Sequence, residues 1–140
     1  GERSSSLMEN TFAIEIISPE KVIFSDNNAQ EVVLPSYEGE MGILKDHTSI
    51  ISFLKPGIVK ILKTSDTINS FFVEDGIIEF YDNSLTVLSS KILDIRDLNK
   101  EKINQLITET KKILDNNKLN DDNRYLANHK IDALRSLSVN

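Results

Sequence analysis

Residues 34–59 read LPSYEGEMGILKDHTSIISFLKPGIV, and their punctuation decides the fold. Gly-centred turns at Glu38-Gly39-Glu40 and Pro56-Gly57 cut short β-branched runs, with Gly42 a third glycine and His47 between them. Outward from this stretch the same texture holds from Thr11 to Ser90. Phe12, Ile14 and Ile16 alternate with Ala13 and Glu15, the period-2 pattern of a half-buried strand. Ser18-Pro19-Glu20 reads as a turn, and a polar turn is expected at Ser25-Asp26-Asn27-Asn28. The run from Gln30 to Leu34 should stop at Pro35, which cannot donate to a ladder. Further strands are expected at Ile43-Leu44, over residues 49–54, over residues 57–63, and on either side of the Glu74-Asp75-Gly76 hairpin signal. Asp82-Asn83 makes the next turn before Leu85, Val87 and Leu88. About eight or nine short strands separated by turn residues predict an antiparallel β-sandwich or barrel. No βαβ alternation is present, which argues against a parallel sheet.

The periodicity changes after Ser90. Ile103, Leu106, Ile107, Ile113 and Leu114 recur at helical spacing, with Thr110 in the same stripe. Asp97 is the expected N-cap of this helix. Asp115 to Lys118 breaks the pattern, and a second helix should start near Asp121, where two acids face the positive end of the helix dipole. Ala127, Ile131 and Leu134 form its stripe, widened by Leu126, Ala133 and Leu137. The expected organisation is therefore a leader over residues 1–10, a sandwich over 11–90 and an αα-hairpin over 91–140. Gly1 to Leu7 has no apolar periodicity and reads as a tag remnant or a disordered native extension rather than a signal peptide. Both helical stripes are narrow, leaving little apolar surface to grip the sandwich. That suggests a detachable unit; the alternative is a hairpin permanently docked, since short helices take most of their stability from packing.

Composition narrows the function. The chain has 16 Lys+Arg against 22 Asp+Glu, a formal charge of -6, which disfavours nucleic acid as the main partner. It has no cysteine, which excludes disulfides, thiolate chemistry and Cys-based zinc sites. No apolar run approaches the roughly 20 residues of a membrane-spanning helix. No P-loop, no Gly-x-Gly-x-x-Gly helix start and no nucleophile elbow is present. His47 and His129 are far apart and on unlike elements, so they form no His-x-x-x-His pair. Glu38 and Glu40 lack the further oxygen ligands of a cation site; they form either a solvated turn or a contact for a basic loop on a partner. His47 is either a turn histidine bonded to a neighbouring carbonyl or an interface residue. The helix cations are either solvated faces or a surface that reaches an acidic partner.

The block Glu38-Gly39-Glu40-Met41-Gly42-Ile43-Leu44, then His47, then Leu54-Lys55-Pro56-Gly57-Ile58-Val59, resembles the signature of the epsilon subunit of the F-type ATP synthase, called delta in mitochondria. A second block, from Phe72-Val73-Glu74-Asp75-Gly76 to Leu88, is similar to the family's Gly-Gly hairpin, with Asp75 in place of the first glycine. The resemblance runs from about Thr11 to Val139; the helical tail matches more in length and placement than in residues. It implies a β-sandwich followed by a C-terminal helical hairpin, and a non-catalytic rotor subunit linking the gamma subunit to the c-ring. It further implies that the hairpin can extend along gamma towards the catalytic beta subunits and restrain ATP hydrolysis. Carried over, Glu40, Met41 and Gly42 correspond to the c-ring contact and His47 to the rotor-facing surface. Arg124, Lys130 and Arg135 are the candidates on the inhibitory helix. The implied location is the cytoplasmic face of the bacterial inner membrane, peripherally attached, or its organellar equivalent.

No cofactor or metal is implied. Some bacterial members bind regulatory ATP through an Ile/Leu-Asp-x-x-Arg-Ala motif at the start of the first helix. Here that region is Ile95-Arg96-Asp97-Leu98-Asn99-Lys100, and the similar letters Ile131-Asp132-Ala133-Leu134-Arg135-Ser136 fall in the second helix, so regulatory ATP binding is not carried over. The reading from another class is a free-standing β-sandwich that binds a small ligand or a peptide.

Overall fold

The computed structural model describes residues 10–138, so the tag remnant read at residues 1–7 lies outside them. Nine strands are described: β1 (Phe12–Ile17), β2 (Val22–Ser36), β3 (Gly39–Leu44), β4 (Ile50–Leu54), β5 (Gly57–Lys63), β6 (Ile68–Val73), β7 (Gly76–Tyr81), β8 (Ser84–Leu88) and β9 (Ile92–Asp94). A 3-10 turn (Ile95–Asp97) leads into helices α1 (Lys100–Leu114) and α2 (Asp121–Ser138).

The strands are hydrogen-bonded into one sheet that folds over on itself. One layer runs β3-β2-β5-β6-β9 and the other runs β2-β1-β8-β7-β4, with the long β2 belonging to both. Alternation does the rest: Phe12, Ile14 and Ile16 point inward from β1 to meet Val32, Leu34, Ile61, Phe71, Ile78, Phe80, Leu85 and Val87 in a single core. Phe12 meets Phe80 edge-on with centroids 5.6 Å apart.

Four sequence expectations are corrected by the structure. The polar stretch Ser25-Asp26-Asn27-Asn28 is not a turn between strands. It is a bulge within β2, because Phe12 pairs with Ala29 while Ile14 pairs with Asp26, so β2 carries an extra residue. Asp26 satisfies the local backbone by accepting from the Asn28 N–H at 2.7 Å and reaches Lys63 at 3.3 Å. Pro35 likewise lies inside β2, which continues to Ser36; its carbonyl accepts from the Lys55 N–H. One ladder is parallel, β1 with β8. That is open to two strands so distant in sequence, since the whole intervening chain serves as the crossover. Finally, the sheet continues past residue 90, because β9 pairs with β6 through Ile92, Leu93 and Asp94.

The cap of helix α1 lies two residues later than expected. Asp94 caps the 3-10 turn instead, accepting from the Arg96 N–H at 2.9 Å, and Leu98 is extended. Asn99 then caps α1, accepting from the Lys102 N–H at 2.8 Å. Asn120 does the same for α2, with the Asn123 N–H at 2.7 Å, and Asp121 and Asp122 occupy the first turn as expected. Thr110 is buried in the α1 stripe, its hydroxyl bonded to the Leu106 carbonyl at 2.8 Å.

The hairpin does find apolar surface on the sandwich. Ile103, Ile107, Ile131 and Leu134 pack with Phe72 of β6 in a second core, edged by Ile58, Leu93, Leu98 and Leu106. The narrow stripes suffice because Phe72 points out of the sandwich core and offers the helices a large ring to cover.

Gly57 fixes how closely β5 can approach β2. A Cβ at Gly57 would lie 2.5 Å from Pro35 Cβ. Gly57→Ala is therefore expected to cost about 1–3 kcal/mol of stability through overpacking, read as a lower urea midpoint with an unchanged slope.

Candidate functional site

Two surfaces are candidates for function. The first is the outer face of the β1-β8-β7-β4 layer. Inward-facing residues alternate with outward ones, and the register places Phe53 beside Ile77, Ile77 beside Leu88, Leu88 beside Ile17 and Ile17 beside Val22. An apolar row thus crosses the whole layer. Phe53 is 61% exposed, Val22 53%, Leu88 44% and Ile77 43%. Ile51 and Tyr81 add apolar surface on the same face, at 68% and 67%. Such a contiguous patch is the mark of an interaction surface rather than of ordinary scattered exposure. Phe53, Ile77 and Leu88 of the row line an open groove of about 740 Å³ that reaches Pro19, Tyr37 and Ser90.

The second surface is the cleft where α2 lies against the end of the sandwich. Glu40 is exposed on β3, beside Lys55, Pro56, Lys60, His129, Asp132 and Ser136, around a space of about 500 Å³. β3 hydrogen-bonds to β2 and to no other described strand, so one edge of it is open. Gly39, at φ 116°, lets the Tyr37-Glu38 turn close tightly; the Ser36 hydroxyl bonds the Gly39 carbonyl at 2.6 Å. Met41 is half-buried and packs on the sandwich core, while Gly42 is exposed.

His47 does not join this group. It lies at the opposite end of the sandwich, in the β3–β4 connection that Asp46 pins to the β7–β8 turn through reciprocal bonds with Asn83 at 2.7 and 3.0 Å. Its Nδ1 is 2.7 Å from the Thr48 carbonyl and its ring meets Phe80 edge-on at 5.9 Å.

Three contacts hold α2 in place. Lys130 pairs with Glu74 at the end of β6, and Glu74 also meets Lys91 at 3.2 Å. Arg124 donates to the Leu114 carbonyl at 3.2 Å and to the Asn116 carbonyl at 3.4 Å, closing the open end of α1. Tyr37, Tyr125 and His129 form a ladder: Tyr37 stacks on Tyr125 with centroids 6.2 Å apart, and His129 tilts against Tyr125 at 4.2 Å. Partial burial pushes the Tyr37 hydroxyl above its ordinary range, with Tyr125 adding to the effect. Partial burial also holds His129 below the ordinary histidine range, and the neighbouring Lys55 ammonium lowers it further. Arg135 is exposed on α2. The aromatic ladder and the Glu74–Lys130 pair were not legible in the sequence, because each joins residues more than fifty positions apart.

Neither surface is a catalytic constellation. Among the described residues no cluster of three or more His, Asp or Glu could hold a metal ion. No helix among them is long and apolar enough to cross a membrane.

A nine-stranded sandwich with a helical hairpin on its side, an outward apolar row and an open Glu40 edge defines a small docking subunit. The family comparison is specific. The model of the ATP synthase delta/epsilon chain beta-sandwich domain matches residues 11–95, and the chain belongs to that family. The ATP synthase epsilon chain of Pelagibacter ubique (strain HTCC1062) is 51% identical over 131 residues, covering 94% of this chain and 100% of the relative. That of Parvibaculum lavamentivorans is 32% identical over 130 residues, covering 93% and 97%. The fold also matches a chain in the cryo-EM structure of the Euglena gracilis mitochondrial ATP synthase, OSCP/F1/c-ring, at TM-score 0.73 and 15% identity, covering 92% of this chain and 80% of that one. A chain of the Tetrahymena thermophila mitochondrial ATP synthase central stalk and c-ring matches at TM-score 0.62 and 16% identity, covering 91% and 93%. Membership places the chain among the non-catalytic rotor subunits of ATP synthase, associated with a membrane-bound complex.

The Glu74–Lys130 pair is largely sheltered, with side-chain exposures of 19% and 18%. Lys130→Ala leaves Glu74 with only its exposed partner Lys91, and is expected to cost about 1–2 kcal/mol, between the values for exposed and buried pairs. Thermal unfolding of the full chain measures it, and Lys91→Ala should cost clearly less.

Proposed function

We propose that the apolar row Phe53-Ile77-Leu88-Ile17-Val22 is the surface on which the gamma subunit of the stalk docks, and that the open Glu40 edge meets the polar loops of the c-ring. The row carries this reading. Five apolar side chains in register across four strands and β2 are unfavourable in water and favourable against a complementary apolar face. Glu40, exposed on a free edge, suits a basic loop; its charge would set orientation and encounter rate more than affinity. Met41 anchors that edge to the core, so the contact is made on a rigid strand. Held at both faces, the sandwich ties gamma to the ring so that the two turn together. His47, at the far end of the sandwich, is available for a separate contact with the rotor.

The hairpin supplies regulation in this reading. Docked, it engages Lys130 with Glu74 of the sandwich, while Arg124 ties α2 to the end of α1 within the hairpin. Released, it would free Lys130 from Glu74 and present it, with Arg124 and Arg135, to the acidic surfaces of the catalytic beta subunits. The complex would sit on the cytoplasmic face of a bacterial plasma membrane, with this chain held there through its partners.

Ile77→Asp should leave the fold intact, because Ile77 already faces solvent, yet weaken association with gamma at least tenfold by placing a charge in the centre of the row. Titration of the labelled chain with purified gamma measures this. Undiminished binding by a folded Ile77→Asp chain would rule out the row as the gamma surface.

A chain ending after Leu98 keeps β9 and should still fold and bind gamma, at some cost in stability because Phe72 loses its cover. Assembled with the catalytic core, it should no longer restrain ATP hydrolysis. Equal inhibition by the truncated and full-length chains would make the hairpin purely structural.

A further inference from the structure

The latch between hairpin and sandwich contains one group able to change charge near neutral pH. Tyr37 lies in the β2–β3 turn, while Tyr125 and His129 lie one helical turn apart on α2. The stacked Tyr37 and Tyr125 rings, 6.2 Å apart, link the two parts of the molecule, and His129 tilts against Tyr125 at 4.2 Å on the same helix. His129 also lines the cleft that α2 makes with the sandwich, where Lys55 of the β4–β5 turn and Lys60 of β5 face it. The negative groups around that cleft are Glu40 of β3 and Asp132, one turn along α2. Asp75 and Asp122 lie near the Tyr37 end of the ladder.

We propose that His129 is a proton-operated release for the hairpin: neutral, it packs in the cleft where α2 meets the sandwich beside Lys55, and protonated, it loosens α2 from the sandwich. The inference rests on the docked-and-released reading of the hairpin given above. A neutral imidazole can be half-buried against a ring and beside a lysine; an imidazolium there loses solvation and meets the Lys55 charge. Asp132 and Glu40 soften that repulsion, and Tyr125 offers the cation a π face. Burial and Lys55 outweigh them, so the docked state holds its proton less tightly than a free histidine does. The sign follows by linkage. The docked state binds fewer protons, so docking is strongest above the ordinary histidine range. It weakens as pH falls through that range and stops weakening below the lowered docked value. The chain has two histidines, and the other, His47, lies at the far end of the sandwich, so the response is assignable.

The test uses the full-length chain. With no native cysteine, Glu20→Cys on the sandwich and Asn117→Cys in the hairpin loop accept a fluorescent donor and acceptor specifically. Energy transfer is followed from pH 7.5 to 5.5, above the range in which carboxylates titrate. Leu134→Glu, which breaks the apolar seam, supplies the released reference. If even this variant stays docked, the hairpin does not leave the sandwich and the parent reading fails. If it releases, the pH series bears on His129 alone. The expected result is a fall in docking with falling pH that persists in His47→Gln and disappears in His129→Gln. A wild-type chain with no fall, or a fall that survives in His129→Gln, overturns the proposal. Should His129→Gln be released at every pH, Lys55→Gln decides: a smaller fall than wild type supports the release, and an undiminished fall overturns it.

Discussion

Everything in this molecule hangs on β2. Fifteen residues of one strand pair with β1 on their first half and with β3 and β5 on their second, so both layers of the sandwich share a single backbone. A flat strand could not serve two layers. The register slips against β1, between Asp26 and Ala29, and against β5, between Ala29 and Glu31, bend it from one layer to the other. Ala29 sits at that bend, fully buried, where a small side chain lets the layers close. With β2 placed, the core follows from alternation, the outward apolar row follows from the register, and the end that meets α2 follows from the β2–β3 turn.

The functional surfaces are by-products of that arrangement. Period-2 alternation requires that each strand show a second face, and Phe53, Ile77 and Leu88 make one end of that face apolar on β4, β7 and β8. That exposed apolar row is the proposed docking surface. The hairpin is held differently. It has an apolar seam centred on Phe72, one sheltered ion pair and one aromatic ladder, a modest set of contacts for two helices. Few contacts of mixed polarity are what the proposed release of the hairpin requires.

Much of the fold was legible in the sequence because strand alternation and turn chemistry are local. Phe12, Ile14 and Ile16 announced β1, and Asp82-Asn83 announced the tight β7–β8 connection, where both residues take positive φ. The errors also have local causes. Ser25-Asp26-Asn27-Asn28 has the composition of a turn and serves as a bulge, because Lys63 and the neighbouring strands satisfy groups that composition alone would hand to solvent. Asp97 looked like a cap, but Asp94 had already capped a 3-10 turn upstream and left Asn99 to begin the helix. Glu40, Met41 and Gly42 came from a motif and do lie together on one open edge; His47, from the same motif, lies elsewhere.

The sequence by itself determined most of the strands and both helices, which of their faces turn to a core, and which family the chain belongs to. Those properties depend on neighbours within a few residues or on a motif read as a string. The tertiary structure alone decided that β1 runs parallel to β8, that Phe53, Ile77, Leu88, Ile17 and Val22 line up as one row, and that Tyr37 meets Tyr125. Each of these joins residues far apart along the chain. Their proximity is set by how two layers and a hairpin pack, and packing is a property of the whole core, which no local pattern encodes.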